Sequence, residues 1–67
     1  MNTVYGVVVW IDRYQANVMP DPGPGAPESI RDGVWIPARD LKVGDRVSLK
    51  YQRSASMALW TATRVDG

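Results

Sequence analysis

A chain of 67 residues with a formal charge of +1 and no Cys, His or Phe is one small domain, residues 1–67, with a thin core and no disulfide framework. Without His or Cys there is no ordinary zinc site and no base or nucleophile of those types, so no metal, no cofactor and no enzymatic activity are expected. The near-neutral charge disfavours a duplex-DNA binder that works mainly through phosphates. No apolar stretch approaches the roughly 18 residues of a membrane span and no signal-like segment opens the chain, so a soluble, cytoplasmic protein with no membrane partner is expected.

Residues 4–11, Val-Tyr-Gly-Val-Val-Val-Trp-Ile, are β-branched and aromatic and predict a first strand. The run is apolar on both parities, which suits a strand that bends and pairs on both sides. Asp12-Arg13 supplies a turn, and Tyr14 to Met19 a weaker second strand. Residues 20–32 hold four prolines and two glycines; proline fixes φ and removes a donor, so this is a loop, most simply a surface connection. Val34 to Pro37 makes a short third strand, with Val34 and Ile36 on one face and Trp35 and Pro37 on the other. Pro37 marks an edge or a strand end. Ala38 to Leu41 suits one helical turn, and Lys42 to Asp45 a tight turn. Arg46 to Gln52 alternates, with Val47, Leu49 and Tyr51 directed to the core and Ser48, Lys50 and Gln52 to water. Arg53 to Ser56 is a polar turn. Residues 57–65 form the last strand, in which Trp60 shares parity with Ala62 and is expected to pack. The even spacing of Trp10, Trp35 and Trp60 is not a repeat, because the flanking residues do not recur.

Five short strands with a long connection among them predict an all-β fold, a small five-stranded antiparallel OB-type barrel. Four segments also resemble the cold-shock domain family, in the family's order. Gly6-Val7-Val8-Val9-Trp10-Ile11-Asp12 looks like its first strand, Gly-x-Val-x-Trp-Phe-Asn. Val34-Trp35-Ile36-Pro37 is similar to its second RNA-binding motif, Val-Phe-Val-His. Leu41-Lys42-Val43-Gly44-Asp45-Arg46-Val47 looks like Leu-x-x-Gly-Gln-x-Val, and Thr61-Ala62-Thr63-Arg64-Val65 is similar to the closing Gln-Ala-x-Asn-Val. The family's first RNA-binding motif, Lys-Gly-Phe-Gly-Phe-Ile, falls near Tyr14 to Met19, where neither its glycines nor its phenylalanines are present. Pro37 stands where the family has His.

The resemblance implies that single-stranded RNA or DNA binds by stacking on exposed rings, with low sequence specificity. Trp10 and Trp35 are the implied rings, and Tyr14 is a third if the second strand aims it at the same face. Trp10 has the alternative role of plugging the barrel mouth. Arg13, Arg39, Lys42 and Lys50 are candidates to touch phosphate or stack as cations, against the ordinary role of solvated surface charge. Asp12, Asp32, Asp40 and Asp45 read as turn formers, and Gly23-Pro24-Gly25 lacks the amide donors of a phosphate cradle. The alternative function is a protein-interaction module on the same fold, since exposed Trp and Arg also anchor protein interfaces.

Overall fold

The computed structural model describes residues 3–23, 25–37, 40–53, 55 and 58–65. Five strands, β1 (Val4–Ile11), β2 (Gln15–Pro20), β3 (Val34–Pro37), β4 (Arg46–Arg53) and β5 (Ala58–Arg64), form one sheet in the order β3-β2-β1-β4-β5. Every ladder is antiparallel. The edge strands β3 and β5 approach each other but share no ladder among the described residues. The sheet is therefore curled and open along that seam, and is not closed into a barrel. No helix of the described residues is long and apolar enough to cross a membrane.

The central strand, β1, pairs with β2 along one edge and β4 along the other, which explains its apolar character on both parities. At Gly6 the neighbouring strand comes too close for a side chain: a Cβ there would lie 2.8 Å from both the Met19 carbonyl oxygen and Val18 Cγ1. Beyond Val8 the β1–β2 ladder slips. Val8 faces Val18, but Asn17 is paired with Trp10, leaving Val9 as the extra residue of a β-bulge. The hairpin then closes tightly. The Asp12 carboxylate accepts the Arg13 N–H at 2.7 Å, and the Asp12 N–H donates to the Gln15 carbonyl at 2.8 Å. Tyr14 consequently lies in the turn and β2 begins at Gln15.

One face of the sheet carries the core of Val8, Ala16, Val18, Ile36, Val47 and Leu49, and the β2–β3 connection adds Ala26 and Ile30. The connection is thus more than a surface loop. It folds a single 3-10 turn, Glu28–Ile30, that delivers Ile30 to the core at 3% exposure. Val4, Val34, Leu41, Trp60 and Ala62 pack around this centre. Trp60 meets Tyr51 edge to face, with centroids 5.3 Å apart.

Two sequence expectations are corrected. Tyr51 shares the core face with Val47 and Leu49 but is 50% exposed. The β1–β4 ladder ends at Val4 opposite Leu49, so Tyr51 runs past β1 and has Trp60 of β5 opposite it. The helical turn expected over Ala38 to Leu41 is not seen at Asp40 or Leu41, which are non-helical; Ala38 and Arg39 lie outside the described residues.

Candidate nucleic-acid interface

Directly paired residues of an antiparallel ladder project from the same face of the sheet. Trp10 is paired with Asn17, and Asn17 with Trp35. The three side chains therefore form one row across β1, β2 and β3. The neighbours of Asn17 along β2, Ala16 and Val18, are both fully buried, so the row lies on the face opposite the core. Trp10 is 63% exposed and Trp35 48%. Two strand spacings separate the rings, about 10 Å at the usual distance between neighbouring strands.

The bulge at Val9 produces this arrangement. Unbroken alternation from the buried Val8 would turn Trp10 inward, because a one-residue slip moves every later side chain to the other face. The extra residue sends Trp10 outward and brings Ile11 opposite Ala16. Trp10 does not plug the interior. Trp35 needs no such device, since simple alternation around the buried Ile36 already aims it outward.

The other predicted contacts divide. Tyr14 is 81% exposed in the β1–β2 turn, off the ladder on which Trp10 and Trp35 are aligned, so it is not the third ring of the row. Arg13 is exposed in the same turn. Lys42 is exposed in a turn that docks against β1 at the bulge: the Gly44 N–H donates to the Val8 carbonyl at 2.8 Å, and the Val8 N–H to the Asp45 carbonyl at 3.0 Å. Lys50 is on the outer face but pairs with Thr61 of β5. It lies one step beyond the Val4–Leu49 pair, roughly 20 Å along the sheet from Trp10 at the normal strand rise. It does not join the row. Arg39 lies outside the described residues.

Two further arginines are occupied. Arg46, on the outer face opposite Val7, donates two hydrogen bonds to the Asp21 carboxylate at 2.7 and 2.5 Å, and its Cζ sits 5.5 Å from the centroid of the Tyr5 ring. The hydrogen bonding to Arg46 holds the Asp21 carboxyl below its usual range, and the same contact raises Arg46. Arg64 pairs with Asp45 at 3.1 Å and also donates to the Asp40 carbonyl. Of the predicted cations among the described residues, Arg13 and Lys42 lie in turns beside the Trp10 end of β1. Exposed Val9, Ile11 and Val43 add apolar surface on β1 and on the turn docked against it. An open groove of about 670 Å³ begins at Met19 and runs past Asp21 and Pro22 to Arg31.

Asn17 is the member of the row that sequence reasoning missed. Only the cross-strand register shows that it stands between two tryptophans. Among the described residues no group of His, Cys, Asp and Glu could hold a metal ion. Compared with known proteins, the chain matches no family model, no curated protein and no solved structure.

Proposed function

We propose that this is a non-enzymatic, cold-shock-like domain of the OB type that binds single-stranded nucleic acid, RNA or DNA, by stacking bases on Trp10 and Trp35. The observation that carries the reading is the shared row. Two large rings, both exposed, stand on one face about two strand spacings apart. The strand order supports it as well, since β1 in the centre with β3 approaching β5 fits a five-stranded, partly open OB-type barrel. In such barrels the face of strands two and three binds oligonucleotides.

The magnitudes favour stacking over charge. Each base stacked on an aromatic ring contributes about 1–3 kcal/mol, and two rings supply roughly 2–6 kcal/mol. A formal charge of +1 leaves little for phosphate contacts alone to hold a strand. Titrating a fluorescently labelled oligonucleotide while following tryptophan emission tests the reading. Quenching is expected, and Trp10→Ala or Trp35→Ala should each weaken binding by about 1–3 kcal/mol. Unchanged emission and no complex at high micromolar protein in low salt would refute it.

A second reading, a protein-interaction module, is favoured by one observation: Trp10 is accompanied by exposed Val9 and Val43 while Arg46 and Arg64 are held by Asp21 and Asp45. Apolar surface rimmed by mixed charge suits a protein partner. Loss of a protein partner in Trp10→Ala, with no competition by oligonucleotide, would select this reading.

A further inference from the structure

The outer face continues along β1 past the tryptophan row. Gly6 is opposite the buried Val47, so its neighbours Tyr5 and Val7 project from the other side of the sheet, the face of Trp10 and Trp35. Val7 is paired with Met19 on one side and with Arg46 on the other. Tyr5 and Met19 are exposed and carry the apolar surface from the row toward the start of β1. Arg46 completes this stretch. Its guanidinium sits over the Tyr5 ring and is held there by the two hydrogen bonds from its Nη atoms to the Asp21 carboxylate. Asp21 is anchored in turn, because its N–H donates to the Tyr5 carbonyl at 2.9 Å. An exposed ion pair of this kind adds little to stability. What it does here is fix a plane. Guanidinium hydrogen bonds lie in that plane and leave its faces uncovered, and the Arg46 side chain is 48% exposed.

We infer that Tyr5 and Arg46, oriented by Asp21, form a third stacking station for single-stranded nucleic acid. The assignment rests on the stacking role proposed above and extends it along the same face. Unpaired bases stack on guanidinium planes as well as on aromatic rings, and Arg itself stacks on aromatic faces. The station is therefore layered, with base on guanidinium and guanidinium on phenol. Val7, the partner of Arg46, is about 10 Å along β1 from Trp10 at the usual strand rise. Trp10 and Trp35 are separated by about the same distance across the strands. The three stations thus follow one another at even intervals, with a corner at Trp10, and Val7 and Met19 make the floor between the last two. Asp21 already balances the charge of Arg46, so the contact is with a base and not with phosphate.

The test measures fluorescence anisotropy of a labelled thymine oligomer of about ten nucleotides, within the usual site size of an OB-type domain. The intact chain is compared with Arg46→Lys, Arg46→Met and Asp21→Ala. Arg46→Lys keeps the charge and loses the plane, so it should weaken binding by about fivefold or more, the lower end of one stacked base. Arg46→Met should weaken it by a similar factor. Asp21→Ala makes the chain more positive, which alone would favour a polyanion, yet it should also weaken binding because Arg46 is no longer held. Full binding by either Arg46 variant, or unchanged or tighter binding by Asp21→Ala, overturns the inference. Should the variants unfold, the intact chain supplies the readout: the Arg46 Nε–H resonance should shift with those of Trp10 and Trp35 during titration. A stationary Arg46 signal beside shifting tryptophans overturns the inference and leaves the stacking reading in place. No binding of the oligomer by the intact chain overturns both.

Discussion

Gly6 sits where β1 and β2 come too close for a side chain. The atoms that a Cβ would strike include the backbone carbonyl of Met19, which cannot rotate away as a side chain could. Gly6→Ala should therefore behave as an overpacking change and lower stability by about 1–3 kcal/mol, measured by urea unfolding. Wild-type stability in Gly6→Ala would show that the two strands are farther apart than described. The tryptophans differ at the same scale. In the sequence each of the three is set beside aliphatic residues, yet Trp60 packs against Tyr51 and the core while Trp10 and Trp35 face water. Trp35 was legible from parity alone. Trp10 was not, because no glycine or other turn residue announces the bulge at Val9, and strict alternation from Val8 gives the opposite face.

Among the elements, β1 and β3 begin and end where their β-branched runs do, and both were readable to the residue. The start of β2 was misplaced by one residue, because the Asp12 side chain closes a turn that extends through Tyr14. That shift removes Tyr14 from the stacking row. The β2–β3 connection was the larger miss. Its prolines do break regular structure, but Ala26 and Ile30 lie too far apart, and in too irregular a setting, to show any period. Their burial follows from the 3-10 turn, not from an amphipathic pattern. Ile30→Ala should cost about 2–5 kcal/mol as a buried large-to-small change. At roughly 0.05–0.15 kcal/mol per residue a chain of this size is stable by only about 3–10 kcal/mol, so thermal unfolding of this variant should begin far below that of the wild type. An unchanged midpoint would mean that the connection lies outside the core.

For the molecule as a whole, the two faces of the sheet have separate tasks. The inner face, the β2–β3 connection and Trp60 hold the fold, and the outer face of β1, β2 and β3 is left free to present two indoles with an amide between them. Net charge, a bulk property of the sequence, disfavoured a duplex-DNA binder that works mainly through phosphates but could not show which rings share a face. Cross-strand register settles that, and register depends on one extra residue in β1. The most direct test of the stacking proposal is a single experiment, the ¹H–¹⁵N correlation spectrum of the three indole N–H groups during titration with a short single-stranded oligonucleotide. Progressive shifts of the Trp10 and Trp35 resonances, with Trp60 unmoved, are the predicted result. Shifts confined to Trp60, or no shift at any of the three, would contradict the account.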